Sequence, residues 1–299
     1  MKLQFSTYCI ECLTRRQAKL LRAQNDEEKA FACFREMLQA MIDAPSGVAA
    51  PFVVERFNRI FARYFSDDDR YAQIKRDSNA FVLRRAERIR TVIASADDPV
   101  LMGLRYARAG NYIDFGALDG RVSDAQLDDL LDRAHEDVID PAEYANLISD
   151  LAKAKKLLYL TDNAGEIVLD MLLIEALQKD FPALDICVCV RGGPILNDAT
   201  CTDAEEIGLS RLVRVIDSGV PVGGTQIGYV GETLQRELDT ADVILAKGQG
   251  NFETMWGCGL NVYYAFLCKC DWFTKLFRVP RLTGMFVNEH RVRTYEIIE

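Results

Sequence analysis

The chain has 299 residues, 49% hydrophobic and 27% charged, a globular composition with enough length for one large domain or two smaller ones. Its formal net charge of −9 disfavours nucleic acid and anionic membranes as partners. No apolar run reaches the length of a membrane span, and nine cysteines, an odd number, read as reduced thiols of a cytoplasmic protein.

The first half of the chain reads as helical. Residues 11–42 carry Leu13, Ala18, Leu21, Ala30, Cys33, Met37 and Met41 near helical spacing, which predicts one long amphipathic stretch. Val82, Ala86, Ile89 and Ile93 make a second apolar face. Asp98-Pro99 supplies a cap and a first-turn proline, and Gly110 is read as the stop of that helix. Ser123 with Gln126 resembles a capping box, and Asp140-Pro141 opens a further helix. From about residue 150 the pattern changes. Strands are predicted at Leu157–Leu160, Ile186–Val190, Leu212–Ile216, Val243–Ala246, Tyr263–Leu267 and Met285–Val287, with a crossover helix over Asp170–Lys179. The expected fold is therefore α/β. A helical N-terminal region (1–150) packs on a Rossmann-like, mostly parallel sheet with helices on both faces (151–299), and the two share a core.

In such a sheet ligands bind beyond the carboxyl ends of the strands. The first strand is followed by Thr161-Asp162-Asn163-Ala164-Gly165-Glu166, and the second by Arg191-Gly192-Gly193-Pro194 and then Asn197-Asp198. The third is followed by Asp217-Ser218-Gly219, and the fourth by Lys247-Gly248-Gln249-Gly250-Asn251. Each piece alone has a bland reading as a turn, a helix cap or a solvated lysine. Together they bring hard oxygen donors, two cations and flexible glycines to one rim, a set suited to a divalent metal and a phosphate. With only His135 and His290 in the chain, a His-rich zinc site is hard to build, so a metal must rely on oxygen.

TDNAGEIVLD, RGGPILNDAT and DVILAKGQGNFET resemble the signature segments of the metal-dependent damage-control phosphatase family, once called domain of unknown function 89. ARAGNYIDFG resembles a family segment in the helical half, and CIECLTRRQAKL resembles the Cys-x-x-Cys opening of a mostly prokaryotic subgroup. The resemblance spans nearly the whole chain. It implies a phosphatase acting on small phosphorylated metabolites, such as sugar phosphates or damaged and surplus cofactor precursors, with Mg²⁺, Mn²⁺, Co²⁺ or Ni²⁺ as cofactor. It further implies metal ligands at Asp162, Asn163 and Asp198, a phosphate-contacting lysine at Lys247, and an acidic position near the metal at Glu166. Asn111 and Asp114 are implied to reach the pocket from the helical half, and substrate selection is expected around them. Ser218 and Gly219 fall at a substrate-facing loop by a looser match. From the residues themselves, Arg191 and the amides around Gly248 and Gly250 add phosphate donors, Arg191 with the alternative of anchoring its own loop. The attacking group is left open between a water and a carboxylate.

Two other readings compete. An S-adenosylmethionine-dependent carboxyl methyltransferase would need neither the metal nor Lys247. A non-catalytic metal- or nucleotide-binding sensor would release no phosphate. Cys9 and Cys12 are read as thiols packed in the fold ahead of an accessory metal or redox site, and Cys187, Cys189, Cys268 and Cys270 as small core residues. The sequence leaves a homo-oligomer open.

Overall fold

The structure is a computed structural model that describes residues 5–65, 71–119 and 124–295, with the side chains of 113–119, 124, 126 and 127 left out. Three helices open it, α1 (Thr7–Arg22), α2 (Glu27–Ile42) and α3 (Ala50–Tyr64). The expected single stretch over 11–42 is thus two helices. Asp26 ends the run: its carboxylate accepts from Lys29 N at 2.9 Å and caps α2, so the chain turns back on itself. The apolar stripe survives the turn. Leu13, Leu21, Cys33 and Met37 pack with Val53, Phe57 and Phe61 of α3 in a core of their own.

Next come α4 (Ala72–Ser95), α5 (Pro99–Asp119), α6 (Asp124–Asp132) and α7 (Pro141–Leu151). Asp98 caps α5 through Leu101 N at 2.9 Å, and Asp140 caps α7 through Ala142 N and Glu143 N, both at 2.9 Å. Gly110 does not stop α5, which runs on to Asp119. Its role is close approach. A β-carbon there would stand 3.0 Å from Glu166 Cγ and Leu169 Cδ1, and Gly103, two turns earlier, lies equally tight on Leu173. The missing side chains let α5 press against α8 (Glu166–Asp180), the helix that follows the first strand. Ser123 of the expected capping box lies outside the described residues.

The strands are β1 (Lys156–Leu160), β2 (Asp185–Val190), β3 (Arg214–Asp217), β4 (Val243–Lys247), β5 (Val262–Leu267) and β6 (Gly284–Asn288). They form one sheet in the order β3-β2-β1-β4-β5-β6, parallel except for the antiparallel β5–β6 pair. The third strand starts later than expected because Leu209–Arg211 winds into a short 3₁₀ turn that Leu212 closes. The remaining helices are α9 (Cys201–Glu206), α10 (Glu232–Thr240), α11 (Gly248–Met255) and α12 (Asp271–Phe277).

Alternation along the strands builds two cores, one on each face. Leu157, Tyr159, Val188 and Leu245 face Ile167 and Leu172 of α8, with Val82 and Ile89 of α4 and Leu104 and Ala107 of α5 in the same cluster. Leu158, Leu160, Cys189, Ile244 and Phe266 face Leu234 of α10, Phe252 of α11 and Phe273 of α12. Helices α4 and α5 from the N-terminal half therefore share the sheet's core, whereas α1–α3 keep a separate one. The chain leaves β1 for β2 on one side and returns from β3 to β4 on the other, so the switch point lies between the carboxyl ends of β1 and β4.

Candidate active site

Residues 161–166 leave β1 in an unusual path. Asn163 and Asp198 form an isolated antiparallel bridge, Ala199 N donates to Asp162 O at 2.8 Å, and Ala164 N donates to Asn197 O at 2.9 Å. The β1 and β2 exits are stitched together in this way, and Asp162, Asn163 and Asp198 meet although Asp198 lies 35 positions after Asn163 in the chain. Gly165 turns with φ +80°, and its N–H donates to Asn79 Oδ1 of α4 at 2.6 Å, which starts α8 at Glu166.

Around this junction lie four buried carboxylates, Asp162, Glu166, Asp170 and Asp198, and two buried cations, Arg191 and Lys247. Lys247 is fully enclosed. Its ammonium donates to Glu166 Oε1 at 2.7 Å, Asp170 Oδ1 at 2.6 Å and Ala107 O at 2.7 Å, so all three donors are used. Burial by itself would lower its pKa, but Asp170 and Glu166 together raise it, and the amine stays charged. Burial lifts the Asp170 carboxyl to about 6 against the pull of Lys247. Tyr159 in β1 completes this knot by donating to Asp170 Oδ1 at 2.6 Å.

The other cluster borders the knot. Asp162 Oδ2 accepts from Asn111 Nδ2 at 2.9 Å and from Asn163 Nδ2 at 2.7 Å. The same two amides reach Glu166 Oε2, at 2.9 and 3.2 Å. Asn111, buried on α5, also accepts from Leu267 N of β5 at 3.3 Å, so it ties the helical half to both the site and the sheet. Arg191 donates through Nε to Asp198 Oδ2 at 2.7 Å and through Nη1 to Asn251 Oδ1 at 3.3 Å, and its Nη2 stands 3.6 Å from Asp162 Oδ1. The Asp162 carboxyl is held well above its ordinary range, first by burial and then by the charges of Glu166 and Asp198, with Arg191 and Lys269 opposing. Helix α11 aims its amino end at the same place. Gly248 has φ +78°, and a β-carbon on it would overlap the Asp162 carboxylate.

Other expected residues have bracing roles. Ser218 is buried; its hydroxyl donates to Val220 O at 2.8 Å and accepts from Gly192 N at 3.0 Å. Gly219 turns with φ +74° against Gly231. These contacts fix the Arg191–Pro194 loop. Gly250 comes so close to Gly223 O that a side chain there would collide. Asp114 lies on α5, and its side chain is outside the described set. A cavity of about 330 Å³ shares Arg191 with the site and is lined otherwise by residues such as Lys75, Arg76, Gly192, Asp203 and Asp217.

Several participants escaped the sequence reading. Asp170 had a signal, since it follows Glu166 by four residues on an otherwise apolar helix and so shares its face. Asn251 likewise follows Lys247 by four, and its Nδ2 donates to Lys247 O at 2.7 Å. Gly223, Gly224 and Thr225 had no comparable signal. They matter because they pack on α11, with Thr225 donating to Asn251 Oδ1 at 2.9 Å.

With this geometry in place, the chain can be set beside known proteins. The model of the damage-control phosphatase ARMT1-like domain matches residues 5–283. The chain belongs to that family. A damage-control phosphatase of Archaeoglobus fulgidus is 29% identical over 280 residues, covering 90% of this chain and 93% of that one. A damage-control phosphatase of Pyrococcus horikoshii is 28% identical over 220 residues, covering 73% and 74%. An uncharacterized protein of Methanocaldococcus jannaschii is 28% identical over 272 residues, 88% of each. The crystal structure of a DUF89 family protein from Pyrococcus horikoshii superposes with a TM-score of 0.83 at 23% identity, over 96% of this chain and 99% of the other, and shows the same fold. Membership makes the chain a phosphatase. No described helix is long and apolar enough to cross a membrane.

The donor set fits a divalent cation. Four buried carboxylates outnumber the two buried cations, with the partly buried Lys269 also acting on Asp162, and the oxygens of Asp162, Asn163 and Asp198 are hard donors. Among the described residues no group of three or more His, Cys, Asp or Glu is arranged to hold a metal.

Proposed function

We propose that the β1–β4 switch point hydrolyses phosphate monoesters of small metabolites, sugar phosphates or damaged and surplus cofactor precursors among them, with one divalent cation held by Asp162, Asn163 and Asp198. The observation that carries this reading is the excess of buried carboxylates over buried cations at a site where Arg191 and the amino end of α11 also converge. A divalent ion there supplies Lewis-acid neutralisation of the phosphoryl oxygens. Mg²⁺, Mn²⁺, Co²⁺ and Ni²⁺ suit the oxygen donors. Asn111 orients Asp162, while Lys247 fixes Glu166 so that its second oxygen faces the Asn111 and Asn163 amides. Amides at the start of α11 bind the anionic group. The adjoining cavity of about 330 Å³ takes the leaving group and is of a size for a small metabolite. The Cys9-x-x-Cys12 opening supports placing the chain in the prokaryotic-type subgroup of the family, in keeping with a cytoplasmic enzyme.

The test is a screen over phosphorylated metabolites with wild type beside Asp162→Ala. Phosphate release should vanish with chelator, return with Mg²⁺, Mn²⁺, Co²⁺ or Ni²⁺, and be lost in the variant. A wild type inactive on every ester with metal present would sink the reading. Product formation from S-adenosylmethionine without metal would favour methyl transfer instead.

A further inference from the structure

We infer that Arg191, and not Lys247, is the cation that grips the phosphoryl group, a conclusion that rests on the phosphatase reading above. Both cations belong to the same rim, but their donors are disposed differently. Each N–H of Lys247 already has a carboxylate or carbonyl acceptor, and the residue is completely buried. To reach a phosphate it would have to leave Glu166 or Asp170 as a buried charge without its cation, which is strongly unfavourable. Arg191 is 1% exposed, yet its Nη2 has no hydrogen-bond partner among the described residues. A buried donor without a protein acceptor is costly unless a water or a ligand satisfies it.

The guanidinium is also held in one orientation. Nε is fixed by Asp198 Oδ2, Nη1 by Asn251 Oδ1, and the backbone N–H by Ala199 O at 2.9 Å. Gly192 follows with its own N–H bound to Val220 O and Ser218 Oγ, so the loop has little freedom to swing. What remains is Nη2, directed toward the Asp162 carboxylate at which α11 also points. Arg191 is also the one residue of the two cation clusters that lines the neighbouring cavity. A planar donor fork suits a phosphoryl group whose charge is spread over several oxygens. Lys247 is then a positioning residue, acting through Glu166 and Asp170.

The experiment uses inorganic phosphate and Mn²⁺ as probes. Phosphate binding is measured by calorimetry with Mn²⁺ present, and Mn²⁺ binding separately by electron paramagnetic resonance, for wild type, Arg191→Met and Arg191→Lys. The expected result is a loss of at least tenfold in phosphate affinity in R191M, with partial recovery in R191K. Mn²⁺ affinity should be unchanged or tighter, because removing a positive charge beside Asp162 and Asp198 favours a cation. Unchanged phosphate affinity would overturn the inference. So would a fall in Mn²⁺ affinity matching the loss of phosphate, since Arg191 would then only order the carboxylates. Melting curves of each variant establish that it is folded, and R191K carries the test if R191M is not. Failure of the phosphatase reading is distinguishable, because it appears as an inactive wild type in the metabolite screen, whereas phosphate affinity is read without turnover.

Discussion

The knot of Lys247, Glu166 and Asp170 and the rim of Arg191, Asp162 and Asp198 lie side by side and contain the same chemistry, one cation with two carboxylates. They differ in how fully the cation is used. Lys247 spends every donor inside the protein, and none of the three side chains of the knot is exposed. Arg191 keeps one nitrogen without a hydrogen bond, paired only at 3.6 Å with Asp162, and Asp162 and Asp198 retain slight exposure. Asp170 Oδ2 also lacks a hydrogen-bond partner among the described residues, so the contrast lies in the cations: a saturated one holds a structure in place, and one with a donor left over has capacity for a ligand.

The comparison can be broken by substitution. Lys247→Met should have the largest effect, because it strands two buried carboxylates; a loss of about 3–5 kcal/mol in denaturant-induced unfolding is expected. A mild effect would mean that the knot is not closed. Asp162→Asn should do the opposite, costing activity and not fold. Hydrolysis should fall by about a hundredfold or more, while the melting temperature stays level or rises, since one of four crowded negative charges is gone. A variant that unfolds would place Asp162 with the knot. Gly248→Ala tests how tightly the rim is built. The left-handed φ costs about 1–2 kcal/mol, and the new methyl must displace Asp162, so activity should drop further than stability alone explains.

The smallest effect concerns α11 itself. Burial raises the Glu253 carboxyl from its ordinary 4.5 to about 7, while a hydrogen bond from Gln249 acts against the shift. A raised carboxyl favours the protonated form in the folded state. Its contribution to stability is therefore fullest below about pH 4.5 and is lost as pH rises toward 7. Glu253→Gln should stabilise the protein on the order of 1 kcal/mol at pH 8, and by less at pH 5.5, as read from melting curves at the two values. Equal shifts at both would remove titration as the cause.

Much of the fold was legible because its signals are local. Asp98-Pro99 and Asp140-Pro141 open helices where their side chains can cap them, and short apolar runs mark all six strands of the sheet. Two local signals misled. Residues 11–42 kept a helical stripe across the break at Asp26, since stripe spacing does not register a chain reversal. Gly110 carried the mark of a helix stop, but it serves a contact with α8 that lies far along the chain.

At the site, sequence by itself determined which strand ends carry acids, amides, cations and glycines, because strand alternation and exit loops are written in consecutive residues. Only the tertiary structure decided how those groups pair. Whether Lys247 faces ligand or protein depends on Glu166 and Asp170, one α8 turn apart, being pressed under Ala107 of α5. Whether Arg191 keeps a nitrogen with no hydrogen bond depends on Asp198 and Asn251 taking the others. Hydrogen-bond partners in a buried site are fixed by packing between distant segments, and the order of residues along the chain does not encode which donor is left over.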